Sequence, residues 1–173
     1  RLLVGVQTDV NAVSHVNLGS ALCLSGDLER GIAEYREAVR LDPGDLEVRY
    51  HLGRALFRAG KGEEAVAALE AAAERAPGRR DVLNDLGWVL FRLGRLDEAE
   101  ARLREAAGLA QDARVERNLG AVLLASGERE EGIARYRRAL ELDPGFAEAR
   151  AELEAALSAE GAPATPGSST PAR

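Results

Sequence analysis

The 173-residue chain is poor in several residue types, and each shortage narrows the class of protein. It has one cysteine, which excludes an internal disulfide, and two histidines, so we expect no cysteine/histidine metal site. Aromatic residues make up only 4% of the chain although 46% is apolar, which predicts a core of Ala, Leu and Val and favours close-packed helices over sheets. No apolar run approaches the roughly 18 residues of a membrane-spanning helix, so no membrane insertion is predicted.

The chain also lacks methionine, and Lys61 is the only lysine among its 23 basic residues. We therefore expect a piece of a longer protein, and the Arg/Ala/Gly-rich usage is typical of a GC-rich, bacterial gene. The absence of a readable signal peptide favours a cytoplasmic location; the periplasm and the cell exterior stay open, because the native N-terminus is expected to be missing. The net charge of −6 disfavours nucleic-acid binding, since no basic surplus exists to neutralise phosphates.

What the sequence does contain is an internal repeat. The segment from Asn17 to Pro43 matches the segment from Asn118 to Pro144 at 16 of 27 positions. Leu-Gly pairs recur at spacings of 34, 34 and 33 residues, and another glycine follows seven residues after each pair. These later glycines are Gly26, Gly60, Gly94 and Gly127. A period of this length indicates an array of small, stacked helical units.

Each unit predicts two antiparallel helices joined by a glycine turn. In the first unit we expect a helix from about Ala12 to Ser25, ended by Gly26 in the left-handed conformation. Asp27 then caps a second helix that runs to about Leu41. Pro43 ends that helix, because proline cannot continue it.

The space between the two helices of a pair is expected to hold Leu18, Leu22 and Tyr35, with Gly19 and Gly31 allowing a close approach. One pair cannot bury its apolar faces alone, so neighbouring pairs must complete the core. The sequence therefore predicts an all-α fold, an α-solenoid of stacked antiparallel helix pairs.

The pattern closely resembles the tetratricopeptide repeat, most clearly in the words "NLGSAL", "GIAEYREAVRLDP" and "GIARYRRALELDP". The chain departs from the family at the usual first-helix tryptophan, where Arg49 and Leu83 stand, and at Gln111, where a proline is missing. The resemblance implies a right-handed superhelix whose first helices line a concave groove. The repeat domain is predicted to span 12–159, with repeats at 12–45, 46–79, 80–112 and 113–146 and a capping helix at 146–159.

The two ends of the chain lie outside this pattern. Residues 1–11 predict either an N-terminal extension or the end of a truncated upstream repeat. Residues 160–173 are rich in Pro, Ser and Thr without a large apolar side chain, which predicts a disordered tail or linker. The capping helix is expected to cover the apolar face of the last repeat.

No catalytic constellation is readable, so we predict that the protein is not an enzyme and has no catalytic, cofactor-binding or metal-binding residue. His15 and His51 do not occupy matching positions, and the glycines fall at helix-packing and helix-ending positions. Cys23 is interpreted as a small buried apolar side chain. Adjacent carboxylates such as Glu63 and Glu64 lie early in second helices, where the helix dipole favours negative charge.

We therefore expect the protein to act by binding a partner through its surface. With the family's geometry, the groove falls on positions 2, 5, 6, 9, 12 and 13 of each repeat. Four of the seven aromatic residues lie there beside arginines, and these residue types are enriched at binding hot spots. Trp88 is predicted to face the groove, whereas packing between repeats remains the alternative for Phe57 and Phe91. The predicted partner-binding residues are Asn17, Tyr50, His51, Arg54, Phe57, Arg58, Asn84, Asp85, Trp88, Phe91, Arg92, Arg117 and Asn118.

Two binding modes known in the family are implied by the resemblance. In superhelical members, asparagines in the column of Asn17 and Asn118 bind a peptide backbone, since an amide offers both donor and acceptor. Here His51 and Asp85 interrupt that column. The second mode clamps a C-terminal carboxylate with Lys, Asn and Arg, and Asn17 with nearby arginines reproduces it only loosely.

The predicted function is a protein-interaction scaffold that binds a peptide or protein segment in its concave groove. Two alternatives stay open: a targeting or substrate-recruiting arm of a larger enzyme such as a glycosyltransferase, and a self-assembling structural module.

Overall fold

A computed structural model of the protein describes the backbone of residues 2–158 and the side chains of residues 11–158. Over this range the chain forms nine helices and no strand, which confirms the predicted all-α fold class. The helices are α1 (Leu2–Ser25), α2 (Leu28–Leu41), α3 (Leu46–Arg58), α4 (Gly62–Arg75), α5 (Arg80–Arg92), α6 (Leu96–Leu109), α7 (Ala113–Ala125), α8 (Arg129–Leu142) and α9 (Ala147–Ser158).

The helices are stacked as an α-solenoid. Consecutive helices α1 to α8 form four closely packed pairs, and the second helix of each pair also packs on the first helix of the next. The odd-numbered helices touch one another from α1 through α9, so they share one side of the stack. That side is the concave face of the right-handed superhelix, and it positions the candidate site.

The turn inside each pair depends on a glycine. Gly26, Gly60, Gly94 and Gly127 have φ values of 92°, 77°, 78° and 88°, as their sequence position predicts. The surroundings leave open space for a Cβ atom at all four positions. The glycine is therefore required by the left-handed backbone and not by crowding.

Asp27 caps α2 as predicted, because its carboxylate accepts a hydrogen bond from the backbone N–H of Arg30. Asp45 and Asp112 do the same at the N-termini of α3 and α7. The second helix of the first pair ends at Leu41, which also agrees with the prediction.

Helix α1 begins earlier than the sequence indicated. The expected start near Ala12 is wrong, because the helix runs without a break from Leu2. Val10 stands where other repeats carry a helix-ending proline, and valine keeps the N–H that a helix needs. The predicted boundary between residues 11 and 12 therefore falls inside α1. Whether it separates the repeat domain from another unit stays a prediction. The tail at 160–173 lies outside the described residues, while α9 closely matches the predicted capping helix.

Burial differs between equivalent leucines of the repeats. Leu86 and Leu119 are fully buried, but Leu18 is 47% exposed and Leu22 is half-buried, so the prediction that Leu18 fills the first pair is wrong. Leu18 is exposed although α1 packs on α2, so much of its side chain lies outside the contact between these two helices. Among the residues described, none forms a helix pair before α1 that would cover it.

The first pair packs closely at its glycines, as predicted. A Cβ on Gly31 would clash with the sulfur of Cys23 and lie 3.0 Å from the carbonyl oxygen of Gly19. Tyr35 fills the remaining space, and a Cβ on Gly19 would lie 3.1 Å from its ring. Cys23 itself is buried and free, which agrees with its interpretation as a small apolar side chain.

Candidate partner-binding groove

Three neighbouring depressions lie along the concave face. The first, of about 230 Å³, is lined among others by Cys23, Tyr35, His51, Arg54 and Arg58. The second, of about 200 Å³, is lined by Arg54, Phe57, Arg58, Asp85, Trp88 and Val89. The third, of about 240 Å³, is lined by Asn84, Asp85, Trp88, Arg114, Arg117, Asn118 and Phe146.

A chain of hydrogen bonds, here called the polar chain, forms the floor of the groove from α3 to α9. The Tyr50 hydroxyl donates to Asp85 over 2.9 Å, and the Asn84 amide donates to the other oxygen of Asp85 over 3.2 Å. The Asn118 amide donates to the Asn84 oxygen over 2.9 Å, and Arg117 donates to the Asn118 oxygen over 3.1 Å. The polar chain thus gives hydrogen-bond partners to side chains from three successive repeats.

The far end of the polar chain is anchored on α9. Arg117 forms a bidentate ion pair with Glu152, which raises the pKa of the arginine. Burial and the neighbouring carboxylate of Glu152 raise the pKa of Tyr136, so this hydroxyl stays protonated. The capping helix therefore helps to set the orientation of a groove side chain.

The asparagines on the concave side do not form an open ladder for a peptide backbone. Asn84 and Asn118 are each only 7% exposed, and their amides bond within the polar chain. Asn17 is exposed and hydrogen-bonds to no described residue. Asp85 is bound by Tyr50, so it too has a partner inside the protein.

Trp88 lines two of the depressions and is half-buried. The guanidinium of Arg117 lies 5.0 Å from its ring centroid, and that of Arg92 lies 6.0 Å away. Phe91 is a tilted neighbour at 5.4 Å between centroids. Both Phe57 and Phe91 are partly buried against the core, so each also packs inside the protein.

Tyr50 lies at the bottom of the groove, and His51 lies at its side. Tyr50 is only 8% exposed, and burial together with Asp85 raises its pKa. His51 stacks on Tyr35 at 6.0 Å with 17° between the ring planes, and its centroid lies 5.7 Å from that of Tyr50. Tyr50 thus exposes little surface to a partner, and its role in binding stays a prediction, whereas His51 lines the first depression.

The arginines give the groove its exposed charge. Arg54 lies 3.5 Å from the Asp85 carboxylate, and its guanidinium lies 5.5 Å from the Tyr50 ring centroid. Arg58 donates to the backbone oxygen of Cys23 over 3.2 Å, and neither it nor Arg92 ion-pairs with a carboxylate among the described residues.

Some groove residues were missed from the sequence. Phe146 lines the third depression and Glu152 fixes Arg117, and neither lies at a predicted groove position, whereas Arg114, which also lines the third depression, is position 2 of its repeat. The sequence carried a signal for Glu152, because α9 has the same register as a first helix. Arg150 donates to the Pro144 oxygen, as Arg49 donates to the Pro43 oxygen. Aligning α9 with α3 places Glu152 at the position of His51.

Comparison with known proteins defines the class to which the chain belongs. A family model described as "Tetratricopeptide repeat" matches residues 22–78 and 56–119, which together span 98 of the 173 residues. The chain therefore belongs to the tetratricopeptide repeat family. No curated protein sequence matches it significantly.

Solved structures share the fold. A crystal structure of a MamA protein is 22% identical, with a TM-score of 0.79 over 87% of this chain and 83% of that one. YrrB, described as a TPR protein with an unusual peptide-binding site, is 25% identical, with a TM-score of 0.72 over 86% and 77%. The first TPR of Spaghetti, bound to the HSP90 peptide SRMEEVD, is 26% identical, with a TM-score of 0.65 over 68% and 94%.

Two further kinds of site are absent from the described part of the chain. None of its helices is long and apolar enough to cross a membrane. No group of three or more His, Cys, Asp or Glu side chains there is arranged to hold a metal ion.

Proposed function

We propose that the protein is an interaction scaffold that binds an extended segment of a partner protein along its concave groove. The observation that carries this proposal is the continuity of the three depressions. The first and second share Arg54 and Arg58, and the second and third share Asp85 and Trp88. A surface of this shape fits a chain of residues better than a single small ligand.

The chemistry of the groove supports the same proposal. It combines the only tryptophan, Trp88, with exposed arginines, and such residues are enriched where proteins bind proteins. Two of the solved structures with this fold, YrrB and Spaghetti, are described with a peptide-binding site or a bound peptide.

A catalytic role has no comparable support. Cys23 is buried, and burial raises the pKa of its thiol, so it is a poor nucleophile. His51 lies between two tyrosine rings and makes no hydrogen bond to a nucleophile among the described residues. We therefore propose the groove as a binding surface and not as a catalytic site.

Trp88 provides the test, because its emission reports on the groove without a label. Peptides selected on the immobilised protein from a random-sequence display library are titrated into the wild type, and a shift of Trp88 emission is expected. Labelled copies of the same peptides, measured by fluorescence anisotropy, are expected to bind Trp88→Ala at least about ten-fold more weakly, because truncating an aromatic anchor removes hot-spot contacts.

Leu109→Ala is the matched control, since Leu109 is an exposed apolar residue that lines none of the three depressions. Its affinity for the peptides is expected to stay within about two-fold of the wild type. Selected peptides that bind Trp88→Ala as tightly as the wild type would overturn the proposal.

A further inference from the structure

We infer that the groove recognises the side chains of its partner segment: an acidic side chain at Arg58, next to a large apolar side chain in the second depression. This inference rests on the proposed function and names the chemistry of its ligand. It differs from recognition of a peptide backbone by an asparagine ladder and from capture of a chain terminus.

The groove offers little to a peptide backbone. The amides of Asn84 and Asn118 bond to each other and within the polar chain, and both side chains are buried. Asp85 is occupied at both carboxylate oxygens by Tyr50 and Asn84. Breaking these bonds to bind a ligand would leave buried polar groups without partners, which costs more than a replacement bond returns.

The positive charge of the second depression is available to a ligand. Arg54 and Arg58 line it together with a single carboxylate, that of Asp85. Asp85 already has its partners, among them Arg54 at 3.5 Å, so the guanidinium of Arg58 is the one without a carboxylate among the described residues. A guanidinium binds a carboxylate through two parallel hydrogen bonds, which makes an acidic side chain the complementary group.

The apolar part of the same depression fits one side chain. Its walls include Phe57, Val89 and Trp88, and its volume of about 200 Å³ is below the roughly 300–1,000 Å³ of small-molecule sites. A large aliphatic or aromatic side chain fills such a space and gains contact with the Trp88 ring. The acidic and the apolar side chain must lie close together in the ligand, because Arg58 and the apolar residues line the same depression.

The overall charge of −6 opposes an acidic ligand at long range. Charges further apart than roughly 8 Å are screened at physiological salt, so the local charge of the groove decides the contact. An acidic ligand is thus selected at short range, and its affinity is expected to fall as salt rises.

The experiment is an array of random-sequence peptides probed with wild type, Arg58→Gln, Trp88→Ala and Arg75→Gln. Wild type is expected to enrich Asp or Glu within two residues of Leu, Phe or Trp. Arg58→Gln is expected to lose the acidic enrichment and keep the apolar one. Arg75→Gln is the matched control, since Arg75 is exposed, lies outside the three depressions and ion-pairs with no described carboxylate.

One selected peptide then enters a double-mutant cycle. Changing its acidic residue to the amide is expected to weaken binding to the wild type at least about ten-fold and binding to Arg58→Gln less than about two-fold. Equal losses in both proteins would overturn the pairing with Arg58. An N-methyl scan of the same peptide is expected to leave most positions within about three-fold, and losses above ten-fold at most positions would overturn side-chain recognition.

The outcomes separate the inference from the function on which it rests. Peptides that lack acidic residues but depend on Trp88 overturn the inference and leave the proposed function in place. Peptides that bind without regard to Trp88 overturn both.

Discussion

At the scale of the residue, the four repeats fall into two kinds according to what packs beside the first-helix glycine. In the first and last repeats, a second glycine is followed four residues later by a tyrosine, as in Gly132 and Tyr136. In the middle repeats the same places hold alanine and leucine, as in Ala65 and Leu69. A Cβ on Gly132 would lie 3.0 Å from the Gly120 carbonyl oxygen and 2.9 Å from a side-chain carbon of Leu124, so an alanine there requires these neighbours to shift.

Gly31→Ala tests that close approach. We expect it to destabilise the protein by about 1–3 kcal/mol, because the new methyl group meets the buried Cys23 sulfur and the Gly19 backbone. Chemical denaturation monitored by circular dichroism measures the change.

Gly108→Ala is the control for that substitution. A Cβ at this position of α6 meets nothing within 4 Å, so alanine is expected to stabilise the helix by about 0.5–1 kcal/mol. A Gly31→Ala protein as stable as the wild type would contradict the packing argument.

Tyr50 makes stability depend on pH in the alkaline range. Burial first, and then the Asp85 carboxylate, raise the pKa of Tyr50 above its ordinary value of about 10. The folded state therefore holds a proton that the unfolded state loses, and the free energy of unfolding is expected to fall as pH rises above about 10. Tyr50→Phe is expected to make that fall shallower in denaturant unfolding at a series of alkaline pH values. An identical pH slope in Tyr50→Phe would argue against this origin.

At the scale of the element, α9 packs as a first helix, and the described residues contain no second helix after it. It takes the register of α3, but Glu154 stands where α3 has the packing glycine Gly53. In the other pairs the second helix packs closely on that glycine. A glutamate side chain at the same position occupies the space that such a helix needs. The exposed Leu157 lies at the position that α3 fills with the buried Leu56.

Removing α9 tests its role as a cap. Truncation after Pro144 is expected to lower the free energy of unfolding by at least about 2–3 kcal/mol, because it exposes apolar surface of α8 and breaks the Arg117–Glu152 pair. The melting temperature of this variant is compared with that of a chain truncated after Ser158, which keeps α9. Equal melting temperatures in the two truncations would show that α9 is not needed.

At the scale of the whole molecule, ion pairs join neighbouring second helices. Lys61 bonds Glu29 at 2.7 Å, and Arg104 bonds Glu131 at 3.0 Å, each across a repeat boundary. All four side chains are substantially exposed, and such surface pairs contribute up to about 1 kcal/mol each. The buried columns of leucine and alanine carry the stability of the stack.

Salt is therefore expected to have a small effect on folding. Raising NaCl from about 50 mM to about 1 M screens the surface pairs. This increase should change the free energy of unfolding by less than about 2 kcal/mol. Urea titrations at the two salt concentrations measure this change. A decrease of the free energy of unfolding twice that large would show that the ion pairs contribute much of the stability.

The sequence by itself determined the helix pairs, their stacking and the turn between them. These features depend on the repeat period, on left-handed glycines such as Gly26 and on local caps such as Asp27, all of which act over a few residues. The proline missing at Val10 also had a local consequence, but its effect on the start of α1 was not predicted.

Only the tertiary structure decided which groove residues are free to bind. The pattern placed Asn84, Asn118 and Tyr50 on the concave side, but their partners lie about one repeat away in the chain. Whether such side chains meet depends on the stacking of neighbouring helices, and a short sequence pattern does not encode it. The stack buries these polar side chains in mutual hydrogen bonds and leaves the arginines of the groove, Arg58 among them, and part of Trp88 accessible.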